Sequence, residues 1–295
     1  MPIDLLSMVD MPPDNWCANF YLDGKYLPVD NPLWGIRTSL SSGLLSTLHV
    51  PMRAGEPYIA LWPWLWRSLI NAASTIGIPE YQLPSSETLR HEIWLITTRN
   101  RYPAHSLIHI LLYHDISPLG THPRYALFQS RLPKSIFDVT SPDALNLLAP
   151  TNLATVNPHA GPWADTPVES LARIKAQQQH LDGACLILPD GRLARTTLGN
   201  IFLFLPGGHI LASRQGATPD ALCDFITSNN LFHKFNLHID YQDGFDNATI
   251  NAAEECFVCS TSVGLRPVLS LGSTKRFHRN VTLTLAQEVK RAMSL

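Results

Sequence analysis

The sequence has little charge of either sign and no long hydrophobic run. Its 295 residues include 22 Lys and Arg against 24 Asp and Glu, which gives a formal net charge of −2. Proteins that bind nucleic acid or an anionic membrane surface usually show a basic excess, and this chain has none. Its most apolar stretch, residues 58–66, contains a proline and is too short to cross a bilayer. The sequence therefore predicts neither a nucleic-acid partner nor a membrane partner.

A targeting signal and a disulfide framework are also missing. The first 16 residues combine acids and prolines without a basic residue, which is unlike a secretory signal peptide. Five cysteines, an odd number, indicate free thiols in a reducing cytoplasm. Cys256 and Cys259 form a C-x-x-C, but in the strand predicted here positions three apart face opposite sides of the sheet. We therefore expect these cysteines to pack in the core, and we expect no metal site.

The first half of the chain is predicted to contain one clear helix among strands. Helical spacing of Leu65, Leu69, Ala72 and Ile76 predicts a helix over residues 64–77. The other predictions for this half are a hairpin over 43–60, strands over 92–100 and 106–114, and a connection between lobes over 117–135.

The second half alternates differently. Leu171, Ile174 and Leu181 form one stripe of a predicted helix over residues 169–181. The other predicted elements are short strands within 184–213, a helix over 219–231, a strand over 255–260 and a helix over 281–293. Together the two halves predict an α+β protein with two lobes, residues 1–135 and residues 136–295, the second carrying most of the site.

Two short polar stretches and one arginine form a candidate phosphate site. One stretch precedes a predicted helix, where backbone N–H groups and the helix dipole favour an anion, and the other offers hydroxyls after a strand. An arginine could add a bidentate charge. The alternative is that Thr218 is a simple N-cap and residues 260–262 are a polar turn. The candidate residues are Arg67, Gly216, Ala217, Thr218, Ser260, Thr261 and Ser262.

Four stretches in chain order carry a resemblance to one family: residues 54–73, 183–204, 216–226 and 252–271. They resemble the fold-type IV enzymes that use pyridoxal phosphate (PLP), which include branched-chain and D-amino-acid aminotransferases and aminodeoxychorismate lyase. The resemblance implies a two-lobed α+β fold like that of D-amino-acid aminotransferase, with PLP held at the candidate phosphate site. It also implies an amino acid or amino-chorismate substrate and a homodimer.

The sequence departs from this family at its catalytic lysine. The family carries that lysine on a strand just before the helix predicted here over 169–181, and the corresponding residues 154–165 contain no lysine. Lys175 and Lys134 are the nearest lysines in sequence. His159 lies close to the expected lysine position, as an acid–base group or as an ordinary loop histidine.

A second departure concerns Arg195, where the family usually has a glutamate that keeps the pyridine nitrogen protonated. An arginine stays charged and cannot accept a proton. Arg195 is predicted either to point toward the floor of the site or to pair with Asp190 or Glu169. Three hypotheses follow: an aminotransferase or lyase with a displaced lysine, a non-catalytic relative that binds PLP or another phosphorylated ligand, and a scaffold kept for its dimer interface.

Overall fold

The computed structural model describes residues 15–31, 44–59, 61–75, 77–117, 120–149, 167–272 and 275–293. Within these ranges the chain divides into two units, one ending at Ser135 and one beginning at Ile136. No helix in the described ranges has both the length and the hydrophobicity that crossing a membrane requires.

The first unit is built on an antiparallel sheet with the strand order β2-β1-β6-β5-β3-β4. Its strands are β1 (Asn19–Leu22), β2 (Lys25–Pro28), β3 (Leu44–Arg53), β4 (Glu56–Pro57), β5 (His105–Ser117) and β6 (Gly120–Arg131). The hairpin predicted over residues 43–60 is confirmed at its turn, because Arg53 pairs with Glu56 across Ala54 and Gly55, which both have positive φ.

The first unit also has two helices, α1 (Trp62–Thr75) and α2 (Ser86–Arg99). In α1 the predicted buried stripe is confirmed for Leu65, Leu69 and Ala72, while Ile76 lies outside the described residues.

The strand predicted over residues 92–100 was wrong, because this segment belongs to α2. The β-branched run from Ile96 to Thr98 within it favours a strand by propensity alone. The helix begins earlier, where the Ser85 hydroxyl accepts a hydrogen bond from the Thr88 amide at 3.1 Å. Its buried residues, Leu89, Ile93, Ile96 and Thr97, recur at helical spacing.

The connection predicted over residues 117–135 was also wrong for most of its length. Strand β6 pairs with β5 from Ser106↔Arg131 to Ser117↔Gly120. Its consecutive residues 126–128 are all buried, and because successive side chains of a strand point to opposite faces, both faces of β6 are covered here. The prolines and polar residues near its start hid this strand from pattern reading.

The second unit contains a larger mixed sheet with the order β12-β11-β10-β13-β14-β7-β8-β9, and β15 pairs with β14. Its strands are β7 (Leu145–Leu148), β8 (Gly183–Ile187), β9 (Leu193–Thr196), β10 (Asn200–Leu205), β11 (His209–Ser213), β12 (His238–Gln242), β13 (Glu255–Ser260), β14 (Gly264–Leu271) and β15 (Lys275–Arg276). Its helices are α3 (Pro167–Gln178), α4 (Ala221–Ser228), α5 (Asn247–Ala252) and α6 (Asn280–Ala292).

The two faces of this sheet have different roles. Alternation along β10 and β13 directs Ile201, Leu203, Cys256 and Val258 into the main core of the unit. Intervening residues such as Phe202 and Phe257 point to the opposite face, which α4 covers. This second face is where the candidate site begins.

Helix α3 corrects the stripe predicted from Leu171, Ile174 and Leu181. Leu171 is 61% exposed and Ile174 is 47% exposed. The helix instead buries Ala172 and Ala176 against β8, together with the charged Glu169 and Arg173. The apolar spacing predicted the helix correctly but gave the wrong buried face for Leu171 and Ile174, because Glu169 and Arg173 on the other face bond to groups inside the unit. Leu181 follows the end of the helix and packs, partly buried, against the same cluster as Ala172 and Ala176.

Candidate functional site

Helix α4 begins at a carboxylate that four donors approach. Asp220 is the N-cap, and its Oδ1 accepts hydrogen bonds from the Leu222 and Cys223 amides at 2.9 and 3.2 Å. Its Oδ2 accepts from the amide and hydroxyl of Thr261, at 2.8 and 3.0 Å. A helix N-terminus and the end of β13 thus direct their donors to one side chain of the protein.

Burial of its carboxyl group raises the pKa of Asp220, and the hydrogen bonds from Thr261, Cys223 and Leu222 oppose that shift. Because all four donors are neutral groups, they compensate the desolvation of the carboxylate only in part. Through these hydrogen bonds, Asp220 joins the start of α4 to Thr261, the residue that follows β13.

The Thr218 amide also has an acceptor within the protein. It donates to Asn200 Oδ1 at 2.9 Å, and Asn200 Nδ2 donates to the Thr218 carbonyl at 2.8 Å. Helix α4 starts at Ala221, so Gly216, Ala217 and Thr218 precede its N-cap. The N-cap alternative considered for Thr218 was therefore wrong, because Asp220 holds that position.

Ser260, Thr261 and Ser262 come together in a tight turn after β13. The Ser260 hydroxyl donates to the Leu198 carbonyl at 2.8 Å and contacts the Ser262 hydroxyl at 2.9 Å. Gly199 allows this approach, since a Cβ there would lie 2.6 Å from Ser260 Cβ. The structure thus bonds Thr261 to Asp220 and Thr218 to Asn200, while Arg67 lies exposed on α1 in the first unit.

Arg195, on β9, pairs with Glu169 on α3. The two side chains are 11% and 3% exposed, and the arginine also donates to the Thr196 carbonyl at 3.4 Å. Of the alternatives predicted for Arg195, pairing with Glu169 is confirmed. Asp190 instead pairs with Arg192, on the surface.

A second arginine lies near this pair. Arg173, one helical turn after Glu169 on α3, is buried and donates to the Thr197 carbonyl at 2.9 Å. This bond holds the corner between β9 and β10 against α3. Sequence reasoning missed Arg173, because charged residues in an amphipathic helix usually face solvent.

The predicted catalytic candidates are only partly described. His159 lies outside the described residues, and so does the whole stretch 154–165. Lys175 is half-buried in the last turn of α3. It lies six residues after Glu169, or ~9 Å along the helix axis. Lys134 is exposed.

The five cysteines are free, as the sequence predicted. Cys256 lies in the main core, and Cys259 faces α4, where the Cys223 thiol donates to its carbonyl oxygen at 3.6 Å. The prediction that the C-x-x-C side chains face opposite sides of the sheet is confirmed. The described residues contain no group of three or more His, Cys, Asp or Glu side chains arranged to hold a metal ion.

Comparison with solved structures identifies the fold. The chain is similar to the branched-chain amino acid aminotransferase from Thermobaculum terrenum in its PLP form, with a TM-score of 0.77 and 14% identity over 95% of this chain and 94% of that one. The aminotransferase from Thermoproteus uzoniensis with norvaline gives a TM-score of 0.75 and 14% identity over 94% and 95% of the two chains. A third branched-chain amino acid aminotransferase, solved with pyridoxamine 5'-phosphate, gives a TM-score of 0.76 and 14% identity over 94% of each chain.

These likenesses confirm the predicted fold class, the two-lobed α+β fold of the fold-type IV aminotransferases. No protein-family model matches the sequence, and no curated protein matches it. At 14% identity the likeness concerns the fold, so the chemistry has to be argued from the residues present.

At the position that the resemblance implies, the sequence offers no lysine for covalently held PLP. Covalent attachment needs a lysine amine, and residues 154–165 have none. A bound phosphate would meet the Asp220 carboxylate at Thr261, whose amide and hydroxyl already donate to it. Two negative groups sharing these donors repel each other.

Proposed function

We propose that this chain is a class IV aminotransferase-like protein that has lost lysine-based transamination and uses the fold to bind a small ligand. The observation that supports this most strongly is the ion pair between Arg195 and Glu169. It commits Arg195 to a structural contact with α3, at the position where the resemblance implies an acid facing the cofactor ring.

The charge of Arg195 opposes the usual chemistry. PLP acts as an electron sink most effectively when its ring nitrogen is protonated, and a neighbouring carboxylate favours that state. A guanidinium has donors only and keeps its own charge. Glu169, on α3, is paired with Arg195, so in this proposal neither residue supplies the missing carboxylate.

An enzyme with a displaced lysine is the second candidate function. The half-buried position of Lys175 on α3, the helix that carries Glu169, favours it. The rise of ~9 Å along the helix axis from Glu169 to Lys175 counts against it, because the resemblance implies a cofactor ring beside Arg195, the partner of Glu169.

The proposed ligand is an amino acid or a phosphorylated small molecule. Non-covalently bound PLP is one example of the phosphorylated ligand. The site at Arg67, Thr218 and Thr261 stays a prediction for the phosphate. Because the Asp220 carboxylate already accepts from the Thr261 amide and hydroxyl, we expect any phosphate there to bind weakly. The family resemblance implies a homodimer, and the free cysteines support a cytoplasmic location.

Single-turnover transamination tests the proposal. The protein is mixed with PLP and with each of a panel of L- and D-amino acids, and pyridoxamine phosphate is measured by chromatography. We expect none from the wild type. Stoichiometric formation would favour the displaced-lysine enzyme.

A restored variant provides the positive arm of this test. Arg195→Glu alone would bury its carboxylate beside that of Glu169, so the variant also carries Glu169→Leu. His159→Lys is added to supply a lysine close to the position that the family's lysine occupies. Pyridoxamine phosphate from the triple variant, but from none of the single variants, supports a degenerate transamination site.

A further inference from the structure

Two of the free cysteines lie next to each other between α4 and β13. Cys223 is in the first turn of α4, and Cys259 is on β13, where its side chain lies on the sheet face that α4 covers. The Cys223 thiol donates to the Cys259 carbonyl oxygen at 3.6 Å, and its sulfur accepts from Asn200 Nδ2 at 3.6 Å. These contacts hold the Cys223 sulfur beside Cys259.

The two thiols also interact with each other, and the interaction is asymmetric. A hydrogen bond with the Cys259 thiol lowers the pKa of Cys223, but burial and the Asp220 carboxylate leave that pKa above its ordinary value. Burial raises the pKa of Cys259 well above its ordinary value, and the hydrogen bond with Cys223 adds to the rise. When one of the pair loses its proton, the thiolate therefore forms on Cys223 and is stabilised by the Cys259 thiol.

The two cysteines differ in their access to solvent. Cys223 is partly exposed, whereas Cys259 is 1% exposed. Both line a cavity of about 170 Å³ between α4 and this face of the sheet. A polar cavity needs only about 10–15 Å³ to hold a water molecule. A molecule as small as hydrogen peroxide therefore reaches the Cys223 sulfur, while the oxidation of Cys259 depends on Cys223.

A second pair of neighbouring cysteines lacks this access. Burial raises the pKa of Cys256 well above its ordinary value, and the nearby Cys185 adds to the rise. Both thiols are buried in the main core, so an oxidant reaches neither sulfur in the folded protein. Cys256 also cannot bond to Cys259, because the two side chains lie on opposite faces of β13.

We propose that Cys223 and Cys259 form a disulfide when the protein meets a peroxide. The Cys223 thiolate attacks one oxygen of hydrogen peroxide, the O–O bond breaks and hydroxide leaves, which gives a sulfenic acid at Cys223. The Cys259 sulfur then attacks the Cys223 sulfur, the S–O bond breaks, and water leaves with the Cys259 proton. In total, two thiols are oxidised to one disulfide and one peroxide is reduced to two water molecules.

The disulfide would join α4 covalently to β13, next to the hydrogen bonds from Thr261 to Asp220. Two sulfurs that are already neighbours need only a small shift to reach the S–S bond length of about 2.05 Å. This proposal needs no ligand, PLP or transamination, so it goes beyond the proposed function.

Thiol titration of the reduced full chain after exposure to hydrogen peroxide tests the proposal. We expect two of the five thiols to be lost, the intact mass to fall by two hydrogen atoms, and dithiothreitol to restore both thiols. Peptide mapping without reduction should find Cys223 linked to Cys259. The rate should rise about tenfold from about pH 7 to about pH 8, because the thiolate is the reactive form and the pKa of Cys223 is raised.

Cys223→Ser and Cys259→Ala should each abolish the link. Cys256→Ala, which removes the other cysteine of the C-x-x-C, and Cys17→Ala in the first unit are the controls and should form the link at the wild-type rate. Retention of all five thiols by the wild type would overturn the proposal. Oxidation of Cys223 to sulfinic acid without a link, or a wild-type peptide map that joins other cysteines, would also overturn it.

Discussion

Arg195 on β9 donates to the carboxylate of Glu169 on α3, and both side chains are nearly removed from solvent. This pair links the strand that enters the β9–β10 corner to the helix that packs on β8. A buried charge is tolerated because its partner is fixed beside it. The pair thus explains how an arginine is accommodated at the position where the resemblance implies an acid facing the cofactor ring.

Glu169→Gln should destabilise the protein by about 3–5 kcal/mol, because it leaves the Arg195 guanidinium buried without its counter-ion. Urea unfolding measures the change. The double variant Glu169→Leu with Arg195→Leu should lose less, because it removes both charges. Asp190→Asn breaks the exposed pair with Arg192 and is the control, with little change expected. Equal effects of Glu169→Gln and Asp190→Asn would contradict this reading of the pair.

Asp220→Ala should cost about 2–4 kcal/mol of unfolding free energy. The change removes the cap of α4 and leaves the Thr261 amide and hydroxyl without their acceptor. Asp246→Ala removes an N-cap whose hydrogen bonds come from within α5, among them the Thr249 amide at 2.7 Å, and should have the smaller effect because it breaks no contact with another element as distant as Thr261. Chemical denaturation of both variants compares them, and a larger loss from Asp246→Ala would refute the proposed role of Asp220.

Asp220 should also make stability depend on pH. Burial raises its pKa above the ordinary value of 3.8, so the folded protein keeps the proton to higher pH than the unfolded chain does. Its contribution to the unfolding free energy is therefore present below 3.8 and is lost as the pH rises through the folded pKa. The difference in stability between wild type and Asp220→Asn should fall as the pH increases from about 3 to about 7. A difference that rises over that range would mean that the hydrogen bonds outweigh burial.

The core thiols should resist alkylation. Burial raises the pKa of Cys185 to about 12 and raises the pKa of Cys256 well above its ordinary value. Iodoacetamide at about pH 8 should label these residues at least ~100-fold more slowly in the folded protein than in urea, because the thiolate is the reactive form. Peptide mapping after timed quenching gives the rates. Rapid labelling of Cys185 in the native protein would show that the core opens readily.

The fold was predictable where local signals and tertiary packing agreed. The spacing of Leu65, Leu69 and Ala72 predicted α1, and the Ala54-Gly55 turn predicted the β3–β4 hairpin. Strand β6 was missed because its opening is polar. The segment over 92–100 misled because β-branched residues occur at the end of a helix whose cap, Ser85, lies well upstream.

The site was predictable only in part, because its key contacts join distant residues. Asp220 was recognisable as a helix start, but its bonds to Thr261 cross 41 positions of sequence. The side of α3 that is buried depends on Arg195, 26 residues from Glu169. No local pattern shows that a charged face is buried when its partner comes from another element.

Borohydride trapping tests the central claim, that no lysine forms a covalent bond with PLP. The purified protein is incubated with PLP and reduced with borohydride. Its intact mass is then measured by mass spectrometry, and any adduct is located by peptide mapping. The account predicts no stoichiometric adduct and only scattered labelling of exposed lysines, with the same pattern in Lys175→Arg. A single stoichiometric adduct on Lys175 or Lys134, lost when that lysine is replaced by arginine, would contradict it.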